Sequence, residues 1–322
     1  MDFLKISEVN RKDELGFEIK NINLSVAQFS KTAIAGATGS GKSTLLKIIG
    51  GLAHADSGVV LFRGEKVLSP LETLIPGHKG IAYLSQHFEL RNNYRVEEVL
   101  SYGNTLEEDE AQNIYTICRI DHLLKRWTNQ ISGGERQRIA LAKLLVSSPQ
   151  LLLLDEPFSN LDFTHKTILK SVIEDIGKRL QLTCILVSHD PQDVLSWADN
   201  ILIIQNGAVI QQGSPEEIYK RPVNEYAAGL FGKYILLPGS VINYTVPDGK
   251  NLFIRSSQCT VNGTQKPMLK GVVKKVLFTG DYYDVDIAIN QHIVTIKTET
   301  DSLSVDQQVT VSIQIPEVPW FL

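Results

Sequence analysis

Eight consecutive residues carry the densest chemical signal in the chain. Gly36-Ala37-Thr38-Gly39-Ser40-Gly41-Lys42-Ser43, followed by Thr44, fits the pattern G-x-x-x-x-G-K-[ST]. Glycines so spaced let backbone N–H groups close on a polyphosphate, and a helix start behind them adds positive partial charge. In such a cradle Lys42 contacts the β- and γ-phosphates and the Ser43 hydroxyl ligates Mg²⁺. A second pair ends an apolar run, where Leu151 to Leu154 lead into Asp155-Glu156. Asp155 is placed to hold Mg²⁺ through water. Glu156 is placed to orient an attacking water and take its proton. One carboxylate committed to metal and one kept as base suits transfer of a phosphoryl group to water.

These residues need buried strands behind them. Residues 32–35, 151–154 and 183–187 are short apolar runs alternating with helical patterns, up to about residue 230. Runs of this kind predict strands covered on both faces, hence a parallel sheet with helices outside. Leu45, Leu46, Ile48, Ile49 and Leu52 give the helix after the cradle. Past residue 236 the period becomes two. Val309, Val311, Ile313 and Ile315 alternate with Thr310, Ser312 and Gln314, and Tyr283, Val285, Ile287 and Ile289 alternate likewise. That pattern predicts half-buried antiparallel strands. Ser214-Pro215 with Glu217 predicts a helix start just before the join. The reading is an α/β domain over residues 1–235 and a small all-β domain over 236–322. Residues 87–131 form a polar, helical insertion whose acidic run 106–110 reads as a solvated helix end.

Composition narrows the function classes. Among 322 residues, 32 Lys+Arg against 36 Asp+Glu give a net charge of −4. No global basic field favours nucleic acid. Charged residues at 21% and hydrophobic ones at 43% exclude a largely disordered chain. Cys118, Cys184 and Cys259 lie far apart and make no CxxC, so neither a disulfide framework nor a zinc site is expected. Charges interrupt the N-terminal segment where a signal peptide needs an apolar core. No apolar run approaches the ~20 residues of a spanning helix, so any membrane role is expected through a partner.

Beyond the cradle and the acidic pair, Ile131-Ser132-Gly133-Gly134-Glu135-Arg136-Gln137-Arg138 resembles the LSGGQ signature of the ATP-binding subunits of ATP-binding-cassette (ABC) transporters. It is also a capping box, with Ser132 and Glu135 spaced S-x-x-E. Gln86 resembles that family's Q-loop residue, Asp162 in Ser159-Asn160-Leu161-Asp162 its D-loop, and His189 its switch histidine. The resemblance implies a P-loop ABC-type ATPase domain with a helical subdomain at 87–131. The tail, with Gly271-Val272-Val273 and Gly280-Asp281, resembles the OB-like TOBE domain of import-type subunits. It implies that ATP and Mg²⁺ bind at residues 36–44, Gln86 and Asp155, with Ser43, Gln86 and Asp155 around the metal. Glu156, His189, Lys42 and Gln86 are the implied catalytic residues. Ser132, Gly133, Gly134, Glu135 and Asp162 would act in trans on the nucleotide of a second copy. The implied partners are that second ATPase subunit, an integral-membrane permease and an upstream solute-binding protein, at the cytoplasmic face of a membrane. The family's adenine-stacking aromatic is expected near Asp13, where none stands, and Phe17 is left out of the expected site. The competing reading is a soluble ABC-type ATPase acting on DNA or the ribosome. A single cassette without heptads or a basic stripe argues against it.

Overall fold

A computed structural model describes residues 3–13, 16–86 and 90–322. The chain forms two compact units, Met1–Pro215 and Glu216–Leu322. In the first, strands Leu151–Asp155 and Thr183–Val187 are buried along their whole length. Both belong to a six-stranded sheet ordered Ala208–Gly213, Asn200–Gln205, Lys31–Ala35, Thr183–Val187, Leu151–Asp155, Ile81–Leu84. All neighbours pair in parallel except the first two, which are antiparallel.

Side chains of one strand alternate between two cores. Leu151 and Leu153 pack with Leu45, Leu46 and Ile49 of the helix Lys42–Ile49, and with Ile6, Ile22 and Leu24. The last three come from a four-stranded antiparallel sheet that includes Leu4–Lys12 and Glu18–Val26. Leu152 and Leu154 pack instead with Ile139 and Leu141 of the helix Gly133–Leu145, and with Val172 and Ile173 of the helix Phe163–Arg179. Parallel pairing brings the carboxyl ends of four strands to one edge, which is where open α/β sheets bind ligands. The cradle follows Ala35, Gln86 follows Leu84, Asp155 ends its strand, and His189 follows Val187.

The expected helical insertion contains helices Val96–Ser101 and Glu108–Ile117 and two 3₁₀ turns; residues 87–89 lie outside the described set. Val96, Leu100, Ile114, Ile117 and Leu123 join the core of the helix Gly133–Leu145. Glu108, Asp109 and Glu110 form an exposed first turn, where carboxylates complement the helix dipole.

The second unit carries antiparallel sheets of three and five strands. Val285, Ile287, Ile289, Val309, Val311 and Ile313 fill its core as the period-two pattern predicts. Its start differs from the expected join at 235/236. The unit takes in the helices Pro215–Lys220, from Glu216 on, and Glu225–Leu230. The reason is Arg255, only 2% exposed, which reaches back over both. Its Nε donates to Tyr219 O at 3.0 Å, and its Nη1 donates to Ala228 O at 2.8 Å and Gly232 O at 3.2 Å. Its guanidinium also lies 4.2 Å from the Tyr219 ring centroid and 4.9 Å from that of Phe253. Burial lowers Arg255 to about 10, so it stays charged at neutral pH. Arg255→Ala should destabilise this unit by about 3 kcal/mol, since it strips charged donors from buried carbonyls. Urea unfolding followed by Trp320 emission, with Trp127 and Trp197 replaced by Phe, should show the lower midpoint.

Candidate functional site

The cradle turns at three glycines of positive φ, Gly36 (158°), Gly39 (79°) and Gly41 (104°). Gly41 also meets a close neighbour, because a Cβ there would lie 2.7 Å from the Phe17 ring. Lys42, only 6% exposed, folds back over the loop. Its Nζ donates to Gly36 O at 2.8 Å and Ala37 O at 2.9 Å. Burial lowers the Lys42 ammonium below the usual lysine range, against the opposing pull of the Glu156 and Asp155 carboxylates. The loop therefore surrounds a cation poorly served by solvent, which favours an incoming anion.

The Ser43 hydroxyl donates to Asp155 Oδ1 at 2.7 Å, and the Tyr83 hydroxyl donates to Asp155 Oδ2 at 2.7 Å. Tyr83 is held in its neutral form, first by burial and then by that carboxylate. Glu156 sits at φ 51°, in the left-handed region that non-glycine residues rarely adopt. There its N–H donates to Val187 O at 3.0 Å, which fixes the turn after the strand. Glu156 Oε2 lies 2.5 Å from His189 Nδ1 and accepts the Ser159 hydroxyl at 2.9 Å.

A cleft of about 600 Å³ gathers Thr38, Gly39, Gly41, Lys42, Ser43, Thr44, Gln86, Glu156 and His189. Gly36 and Ala37 lie behind it as acceptors of Lys42, and Asp155 lies behind Ser43. Ser40 is buried, and its Oγ has no hydrogen-bond partner among the described residues. Ser132, Gly133 and Asp162 are exposed and outside the cleft lining. Ser132 caps the helix Gly133–Leu145. Glu135 N donates to its Oγ at 3.4 Å, and Ser132 N donates to Glu135 Oε2 at 2.7 Å. Gly134 is buried beneath them.

Two features at or behind the cleft carry no motif. Tyr83 stands on the strand next to Leu151–Asp155, paired with Leu153, so only the sheet register brings it to Asp155. Phe17, outside the site expected from the sequence, lines the cleft itself. Asp13 and Phe17 bond to each other, Phe17 N donating to Asp13 Oδ1 at 2.8 Å and Asp13 N to Phe17 O at 2.9 Å.

The oxygen pair Ser43–Asp155 fits a small hard cation that uses one carboxylate and completes its shell with phosphate and water. Among the described residues no cluster of three or more His, Cys, Asp or Glu forms a closed protein site for a metal.

The sequence profile of the ABC transporter family matches residues 19–159. The sulfate/thiosulfate import ATP-binding protein CysA of Rhodopseudomonas palustris is 32% identical over 298 residues, covering 84% of each chain. The chain belongs to the ABC transporter family. Another relative is the Fe(3+) ions import ATP-binding protein FbpC of Yersinia enterocolitica, 34% identical over 75% of this chain and 70% of that one. A solved ATP-binding cassette, titled as a dimeric post-hydrolysis state bound to ADP and Pi, superposes with a TM-score of 0.56 at 25% identity. It covers 66% of this chain and 98% of that one. This protein is an import-type ABC ATPase, an ATP hydrolase. The reading as an ATPase acting on DNA or the ribosome finds no support among these relatives.

Proposed function

We propose that this ABC ATPase drives import of a solute through a separate membrane permease, with ATP held between two copies of the chain. The observation that carries the reading is the cleft itself, in which the Lys42 loop faces Glu156 and His189. Residues 36–44 bind the triphosphate, and Lys42 turns its Nζ from two carbonyls toward the β- and γ-phosphates. Ser43, Asp155 and Gln86 would hold Mg²⁺, which when bound neutralises charge on those phosphates. Glu156 accepts a proton from the attacking water as its oxygen bonds to the γ-phosphorus and the bond to the β-phosphate oxygen breaks. His189 and Ser159 fix the Glu156 carboxylate in line. Phe17 provides an apolar wall for the base.

Ser132, Gly133, Gly134, Glu135 and Asp162, exposed or just beneath the surface, face the γ-phosphate of the second copy. The capped helix start there supplies N–H groups and positive partial charge. ATP then favours a closed dimer by contacting both sides, and hydrolysis removes those contacts. The helical segment after Gln86 passes the movement to the permease. The antiparallel second unit is TOBE-like and adds dimer contacts or regulation.

Among the described residues no helix is long and apolar enough to cross a membrane. Attachment to the cytoplasmic face comes through the permease, which receives solute from a binding protein. Relatives named for sulfate/thiosulfate and for Fe(3+) match at 32% and 34% identity, so the ATPase chain does not carry the solute's identity. Affinity isolation of the full chain from detergent-solubilised membranes of its own cells tests this reading. A multi-spanning membrane protein in 1:1 ratio, with ATPase activity in the complex, is the expected result. Ribosomes or nucleic acid in its place would overturn it.

A further inference from the structure

A histidine without a motif joins the two exposed segments just described. Asp162 caps the helix Phe163–Arg179, accepting His165 N at 3.0 Å. Its other carboxylate oxygen lies 2.6 Å from His165 Nδ1. The opposite ring nitrogen, Nε2, lies 3.5 Å from Ser132 Oγ. The ring fits there because residue 134 is glycine: a Cβ at that position would lie 2.3 Å from His165 Cδ2. Asp162, His165 and Ser132 therefore form one chain of polar contacts across the surface. The next residue ties the same helix turn to the start of the helix Pro191–Leu195 after His189, where Lys166 Nζ meets Asp190 Oδ2 at 2.5 Å and Asp193 Oδ1 at 3.0 Å.

We propose that His165 is a positioning residue that sets the Ser132 hydroxyl for the γ-phosphate held by the second copy. This rests on the reading that Ser132 acts in trans. A serine at a helix start has three χ1 wells, and its capping bond here is long, 3.4 Å. The ring adds a second contact to the same oxygen. Asp162 fixes the ring in turn, because a carboxylate beside Nδ1 defines the ring plane and directs Nε2 at Ser132. The Ser132 oxygen is then held in one χ1 well before ATP arrives, so placing that oxygen is not left to the transition state. Lys166 keeps the helix turn that carries His165 in register with the helix start behind His189.

The test is a double-mutant cycle on steady-state ATP hydrolysis by the full-length chain in its permease complex. His165→Leu should lower kcat about tenfold, with KM for ATP within about twofold, because the Lys42 cleft is untouched. In a Ser132→Ala background the same substitution should change kcat less than about twofold. Wild-type kcat in His165→Leu, or an equal tenfold loss in the Ser132→Ala background, overturns the proposal. Wild-type turnover in Ser132→Ala alone removes instead the trans reading beneath it. Should His165→Leu fail to fold, the cycle is run with His165→Ala and judged by the same criteria.

Discussion

Glu156→Gln should cut ATP turnover by about 10³-fold while leaving ATP binding unchanged. The amide has the shape of the carboxylate and can still accept the Ser159 hydroxyl, which reaches Glu156 Oε2 at 2.9 Å. It cannot take a proton from water. The residue keeps its backbone place at φ 51°, held by the 3.0 Å bond from its N–H to Val187 O. Loss of fold is therefore not expected. Binding energy from both sides of ATP remains while its hydrolysis stops, so the variant should collect as an ATP-bound dimer. Single-turnover phosphate release, equilibrium ATP binding and size-exclusion chromatography with and without ATP measure the three parts. Turnover near the wild-type rate would remove Glu156 from the role of general base.

Features written in contiguous residues were legible in the sequence. The cradle, the Asp155-Glu156 strand end and the Ser132 capping box each lie in a short segment with its own periodic flanks. Leu151–Asp155 and Thr183–Val187 read as doubly covered strands because each is apolar at nearly every position. What escaped is made by side chains meeting from distant segments. Tyr83 and Asp155 are 72 residues apart and meet only because Ile81–Leu84 pairs in parallel with Leu151–Asp155. Phe17 lines the cleft beside Asp13, whose carboxylate accepts Phe17 N, and a fixed spacing counted along the chain cannot anticipate that contact. The join between units was displaced for a similar reason. Turn signals near residue 238 mark where β-structure begins, but Arg255 recruits the carbonyls of Tyr219, Ala228 and Gly232 into the same unit. A charged side chain buried at 2% exposure outweighs a local turn.

Lys42→Ala should weaken ATP binding roughly 100-fold, about 3 kcal/mol, and leave the nucleotide-free fold nearly as stable as before. The weaker ATP binding and the retained stability have one physical source. Burial lowers the lysine, with Glu156 and Asp155 opposing it, so the charged form is less favourable in the folded chain than in the unfolded one. A lysine lowered on folding costs stability at every pH below its folded pKa, and the cost disappears only as pH rises through it. At neutral pH, removing Lys42 therefore relieves that cost. It also gives up the bonds to Gly36 O and Ala37 O, and the two changes offset to within about 1 kcal/mol. ATP reverses the balance, because the triphosphate supplies the negative charge that the buried ammonium lacks. Thermal unfolding separates these contributions. Without nucleotide, Lys42→Ala should melt within a few degrees of the wild type. With Mg-ATP at about 100 times the wild-type Kd the wild-type midpoint should rise clearly, whereas the variant's should rise far less. An unchanged nucleotide titration in the variant would show that the loop holds phosphate through its backbone alone and that Lys42 is only a strut across it.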